Sequence, residues 1–309
     1  MTDMLDMDQM RQDAPVQTTS VADDSAWYLY GITLRGDADQ PSPQDGCDDR
    51  REPELAAAPW IDAFDSLRRL ACGDLEAIVR PVSRAEFQPD ALQSRLRDAA
   101  WLEAMVRSHN QVIASIHQQQ AILPAKFGSV YARVEDLSAA LEEAHDSLVA
   151  QLRYVEGCDE WGIHLYADRP VVQRHVAAEN STMQRLQQEI AAARPGRAYF
   201  LQRKLADELA AATEQRLDDL ARMAYDHLVR WSVAGRVNPP VPPSGEVSDE
   251  IGILRADFLV RREDQDTFLT EVRTFVEAQE GLRCEYSGPW PPYSFAMLTE
   301  RNAGGQRHS

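Results

Sequence analysis

Seven histidines and four cysteines are where catalysis or metal binding would have to begin in this chain of 309 residues. His109 and His117 lie on one helical pattern, about 12 Å apart along its axis at 1.5 Å per residue, too far to share a metal ion. His109 falls on the apolar face of that pattern and reads as a hydrogen-bonded core histidine. His164 stands between Ile163 and Leu165 in an extended run, so alternation turns it away from them toward solvent. Cys47, Cys72, Cys158 and Cys284 are scattered without any CxxC pair, which reads as reduced thiols and not as a zinc site or disulfide framework. The acid pairs Glu142-Glu143 and Asp218-Asp219 fall on outer helix faces, as solvating charge. None of GxSxG, GxxxxGK[S/T], HExxH or a GxGxxG after a strand is present, so the chemistry of those motifs has no carrier. No catalytic, cofactor-binding or metal-binding residue is assigned, and a non-enzymatic role is expected.

Recognition is the chemistry that remains. In Gly288-Pro289-Trp290-Pro291-Pro292-Tyr293-Ser294-Phe295, three prolines fix φ near −65° and remove three backbone donors, which bars a helix interior or a central strand. The segment should be a rigid extended rim, either a lid on its own core or a preformed docking edge. Phe295 is expected in the core, with Trp290 or Tyr293 partly exposed. Lys126 is the basic group of the Pro124–Gly128 turn, either a surface lysine lying over Phe127 or a charge presented to an acidic partner. The candidate partner interface is therefore Lys126, Phe127, Trp290, Pro291, Pro292 and Tyr293. With 50 acids against 32 bases and a net charge of −18, neither a nucleic acid nor an anionic membrane suits this chain. No apolar run approaches the roughly 20 residues of a spanning helix. Met1 to Asp13 carries acids where a secretory signal would carry a basic end. A soluble cytoplasmic protein is expected.

The positioning elements follow from periodicity. Residues 1–25 read as a disordered tail. An aromatic and β-branched strand begins at Ala26, and Leu67 to Val82 reads as two strands or one bent strand about Cys72-Gly73-Asp74. Leu102, Met105, Val106, His109, Val112, Ile113 and Ile116 mark a long amphipathic helix. Ala121 to Tyr131 is a strand interrupted at Pro124 and Gly128, and Leu137 to Val155 marks a second long helix stopped by Gly157. Cys158 to Ala167 is a strand, with Asp168-Arg169-Pro170 as a break. Met183, Leu186 and Ile190 mark a turn or two of helix that Pro195-Gly196 ends. Ala198 to Trp231 is the longest helix, with a phase slip between Ala212 and Leu217 that predicts a kink or a change of buried face. Strands at Ser232–Val237 and Ile251–Arg261, a helix at Glu263–Gln279 and a strand at Leu282–Ser287 complete the pattern before a tail at 301–309. The fold class is α+β in two domains. Residues 26–157 form a mixed α+β sheet with two long helices. Residues 158–300 run β-α-β-β-α-β, the order of a modified ferredoxin-like fold with its helices on one face.

Several of these segments together resemble the gas vesicle GvpL/GvpF family. They are Tyr28-Leu29-Tyr30-Gly31, His109 with Val112-Ile113, Leu123-Pro124-Ala125-Lys126-Phe127-Gly128, Ala198 to Lys204, Ala256 to Val260, and above all Gly288 to Phe295. The family's LPLRFG stands here with Ala125 for its second leucine and Lys126 for its arginine, so a bidentate contact is replaced by a point charge. The resemblance implies a non-catalytic accessory protein of gas vesicle formation, cytoplasmic and associated with gas vesicles. It also implies two α+β domains, no cofactor, and contacts with the small hydrophobic shell protein and other accessory proteins. An alternative of another class is a small-molecule-binding regulator using its ferredoxin-like domain, which rests on fold analogy alone.

Overall fold

The computed structural model describes residues 25–36, 49–51, 67–88, 91, 94–95, 97–239 and 249–296. The expected tails lie outside the described residues, apart from Ser25. The first sheet contains β1 (Ser25–Leu34), β2 (Asp49–Arg51), β3 (Arg68–Cys72), β4 (Leu75–Ser83), β5 (Ile122–Pro124) and β6 (Val130–Tyr131). Its order is β2-β3-β4-β1-β5, with β6 also pairing β1. β1 is antiparallel to β4, β5 and β6. Helices α1 (Ala99–His117) and α2 (Val134–Val155) cover this sheet.

Both faces of β1 are buried, which is why its sequence is an almost continuous apolar run instead of an alternating one. Tyr28 and Tyr30 pack with Ile78 and with Val112, Ile113 and Ile116 of α1. Leu29 and Ile32 pack with Leu75, Ala77 and Val79 and with Leu137, Leu141, Leu148 and Leu152 of α2. The register shifts between Leu29 and Gly31, and at that bulge β5 comes very near. A Cβ on Gly31 would lie 2.7 Å from the Leu123 carbonyl oxygen and 2.8 Å from the Ile122 side chain.

The second sheet contains β7 (Cys158–Asp168), β8 (Ala234–Val237), β9 (Glu250–Arg261) and β10 (Leu282–Trp290). Its order is β10-β7-β9-β8, antiparallel throughout. Helices α3 (Arg169–Glu179), α4 (Ser181–Ala192), α5 (Pro195–Leu228) and α6 (Gln265–Glu277) accompany it. Ile163, Leu165, Ala256, Phe258 and Val260 pack with Ala224 and Leu228 of α5 and with Phe268 and Val272 of α6.

Four sequence expectations are corrected. Asp168-Arg169-Pro170 starts a helix: the Asp168 carboxylate accepts the Val171 N–H at 2.9 Å, and Pro170 sits in the first turn, where its missing donor is harmless. α4 runs for 12 residues instead of a turn or two; it ends just before Pro195, as expected, and Pro195 also opens α5. The phase slip in α5 is absent, because buried Thr213 takes the place expected of an apolar residue. Its hydroxyl donates to the Leu209 carbonyl at 2.7 Å, so a polar side chain stays on the face continued by Leu217 and Leu220. Finally, β10 does not stop at Ser287 but continues through Gly288 and Pro289 to Trp290, with a register shift before Trp290. A proline is tolerated there because β10 is an edge strand.

The two sheets share one apolar core: Cys158, Leu259 and Ala296 pack with the α2 side of the first sheet. A polar cluster crosses the same junction. His117, at the end of α1, lies 2.7 Å through Nε2 from Asp159 Oδ1 on β7. The same carboxylate accepts Arg262 Nε at 3.0 Å and Gln265 Nε2 at 2.6 Å, while Arg262 Nη2 donates to the His117 carbonyl at 2.5 Å. Burial pushes the Asp159 carboxyl up, but the hydrogen bonds from His117 and Arg262 outweigh it and hold the group below the usual carboxylate range. Gly31→Ala should lower stability by about 2 kcal/mol, read as a fall in the urea midpoint at unchanged slope. A wild-type midpoint would show that β5 can give way.

Candidate functional site

The rim is built on the end of β10. The Gly288–Pro289 peptide is cis, and Gly288 has φ of 137°, in the region that favours glycine. A Cβ there would lie 2.8 Å from the Glu160 carbonyl oxygen and 3.0 Å from the Trp161 ring. Trp290 then pairs with Glu160 of β7, and the chain turns through Pro291 and Pro292. Phe295 N and Ala296 N both donate to the Pro292 carbonyl, at 3.2 and 3.0 Å.

One carboxylate fastens this turn. Glu160, only 7% exposed, accepts Ser294 N through Oε2 at 2.6 Å, and its Oε1 lies 2.8 Å from Ser294 Oγ. Ser294 Oγ is also 2.9 Å from Asp257 Oδ2, which accepts Asn238 Nδ2 at 2.6 Å. Arg236 Nη1 donates to the Ser294 carbonyl at 3.1 Å. Burial, with Asp257 adding to it, pushes the Glu160 carboxyl above its ordinary value against the pull of the Ser294 bonds.

The Lys126–Phe127 turn rests on a second buried network. The Ala125 carbonyl, 3.2 Å from His109 Nε2, can only accept, so Nε2 carries the proton. His109 Nδ1 then accepts the Tyr28 hydroxyl at 2.9 Å, and Tyr28 accepts Gly128 N at 3.3 Å. His109 is a core histidine, as its place on the helix predicts. The rings of His109 and Phe127 meet edge to face at 5.6 Å. Burial pulls His109 down to about 4 despite the bond to Ala125.

The candidate residues divide by burial. Lys126 is exposed and Phe127 half-buried on the His109 network. Pro291 and Pro292 are buried, so their rings form the framework of the turn and not its outer surface. Tyr293 is half-buried against the α1 side of the first sheet, and its hydroxyl donates to Asn110 Oδ1 at 3.2 Å. Phe295 packs on the core shared by the two sheets. Trp290 is 50% exposed. Phe127 and Tyr293 thus lean on neighbouring α1 residues, His109 and Asn110. Sequence reasoning missed the Glu160–Ser294–Asp257 fastening, whose members come from three separate segments and leave no local signal. It also passed over Tyr286, which is exposed beside Trp161.

Among the described residues, no group of three or more His, Cys, Asp or Glu side chains is placed to hold a metal ion, and no helix is long and apolar enough to cross a membrane. A family model described as "Gas vesicle synthesis protein GvpL/GvpF" matches residues 26–297. The chain belongs to the GvpL/GvpF family. Gas vesicle protein L of a Streptomyces strain is 31% identical over 237 residues, covering 76% of this chain and 85% of that one. Gas vesicle protein F of the same strain is 26% identical over 268 residues, covering 87% and 98%. The crystal structures of GvpF from Anabaena and from Microcystis aeruginosa share the fold. Their TM-scores are 0.57 and 0.54 at 17% and 18% identity, covering 89% and 88% of this chain and 99% of each of those. The GvpL/GvpF match ends one residue beyond Ala296 and so takes in the whole rim.

Two measurements test this geometry. Folded His109 stays neutral down to about pH 4, while unfolded histidine binds a proton near 6.5. The unfolded state therefore holds more protons between those values, and stability is lost as pH falls from 6.5 toward 4, by about 3 kcal/mol in all. His109→Gln should flatten that part of the profile; an unchanged profile would assign the loss to other groups. Ser294→Ala should cost about 1–3 kcal/mol by leaving Glu160 and Asp257 short of a partner, and a wild-type denaturation midpoint would dismiss the fastening.

Proposed function

We propose that this chain is a non-catalytic accessory protein of gas vesicle formation, acting in the cytoplasm in association with gas vesicles. It contacts the small hydrophobic shell protein and other accessory proteins during assembly. The observation that carries this reading is the GvpL/GvpF match over residues 26–297. The chain architecture suits the role. We read residues 26–157 and 158–300 as two domains, the second a modified ferredoxin-like fold. An antiparallel sheet of order β10-β7-β9-β8 supports that description, and α3 and α4 extend it.

The docking surface we assign is the outer side of the rim, Trp290 with Tyr293, together with Lys126 and Phe127; Pro291 and Pro292 hold it in shape. A ring on a backbone with few degrees of freedom left loses little entropy when a partner covers it, and tryptophan is a frequent centre of binding energy. An apolar shell subunit is a fitting occupant for such a surface.

Removal of the gene should abolish the vesicles seen by electron microscopy; normal number and shape would sink the reading in a host with no second family member. At the level of the site, Trp290→Ala should weaken binding to purified shell protein by about tenfold with an unchanged circular dichroism spectrum. Binding equal to wild type would take the rim out of the docking surface.

A further inference from the structure

The N-terminal end of α5 carries an exposed feature that the rim does not account for. Over Pro195 to Ala212 no residue is buried; Leu201, Leu205 and Leu209 are half-covered, and burial begins at Thr213. At the tip, Tyr199 is 63% and Phe200 73% exposed. These are the two most exposed of the large apolar side chains described, and their rings meet at 5.9 Å. Around them stand Arg194, Arg197, Arg203 and Lys204, all exposed, with no acid between Glu189 and Asp207. Across the whole chain, acids outnumber bases 50 to 32. None of these four cations is in an ion pair among the described residues.

The complementary surface lies on α2. Glu135, Asp136, Glu142, Glu143 and Asp146 are exposed there, with Glu156 just past its end; Glu142 and Asp146 stand one turn apart, and Tyr154 lies two turns further on. Tyr154 is 46% exposed, so an uncovered ring lies here among acids that outnumber the exposed Arg153 beside it. Asp136, Glu142 and Glu143 are in no ion pair among the described residues.

We infer that the α5 tip docks on this α2 surface of a second copy of this chain, with Tyr199 and Phe200 against Tyr154 and the four cations against the acids. The two patches differ, so the contact is heterologous and head to tail. Each copy then offers its free patch to the next, which adds copies in series. The net charge of −18 opposes association at very low salt, while high salt screens the local attraction, so association is strongest in between.

Sedimentation velocity of the full chain tests this. At near-physiological salt, concentration-dependent association should appear with a Kd on the order of 10 to 100 µM, as a series of species. Arg203→Glu with Lys204→Glu should weaken it by about tenfold or more, as should Glu142→Lys with Glu143→Lys; the chain carrying all four changes should regain it. Tyr199→Ser with Phe200→Ser should abolish it, and because both rings are exposed the circular dichroism spectrum should not change. A chain that stays monomeric up to about 100 µM overturns the inference, and so does association indifferent to the charge reversals. A monomer that instead sediments with phosphatidylserine vesicles through the same residues overturns it in favour of a lipid surface. All of these outcomes are independent of whether the gene deletion removes vesicles.

Discussion

A buried carboxylate that has to be satisfied ties the architecture together. Glu160 stands on β7, the strand that joins the second sheet to the first, and almost no water reaches it. Its oxygens find partners only if Ser294 returns to them, and Ser294 returns only if the chain leaves β10 in a tight turn. The glycine at 288, the prolines after it, the placement of Tyr293 on α1 and of Phe295 in the shared core all serve that one closure. An unpaired buried carboxylate is far more costly than a missing apolar contact, so this polar requirement, more than the rings, fixes the path of the rim.

A second polar cluster performs the same service from the other side. His117, Asp159, Arg262 and Gln265 come from α1, β7, the turn after β9 and the start of α6. Asp159 and Glu160 are neighbours in sequence, and each binds a different part of the chain. The Asp159 set therefore ties the second sheet to α1 directly, and the Glu160 set ties β7 to the rim, which reaches α1 through Tyr293 and Asn110, around an apolar junction of Cys158, Leu259 and Ala296. Directional bonds set the angle between the sheets more strictly than apolar packing alone, because partner swaps leave buried groups unpaired.

Most elements were legible where one physical signal dominated. The period of α1, α2 and α6 is visible because each has one apolar face. β1 is visible because it is covered by α1 on one side and α2 on the other. Reading failed where a polar or cyclic residue had a structural task. Asp168 and Pro170 look like a break until the aspartate is seen as a cap; Thr213 looks like a gap in a helix face until its hydroxyl is seen to bond within the helix. α3 was missed altogether because Val172 is its one buried residue, leaving no amphipathic stripe to detect. In the candidate site, Trp290 and Phe295 were legible from ring type and proline spacing. The partners of Ser294 were not, since they come from β7 and β9, more than 30 residues away, and nothing local in the sequence encodes such a pairing.

The course of β10 limits how any partner can attach. An open sheet edge invites another chain to add a strand through main-chain hydrogen bonds. Here that route is obstructed: Pro289 offers no donor, the register breaks before Trp290, and Arg283 lies exposed with its guanidinium held by Glu250 and Glu285. The opposite edge, β8, is four residues long. The second sheet thereby keeps its backbone out of strand addition. It leaves only side chains to make the encounter, which favours contacts that can be released.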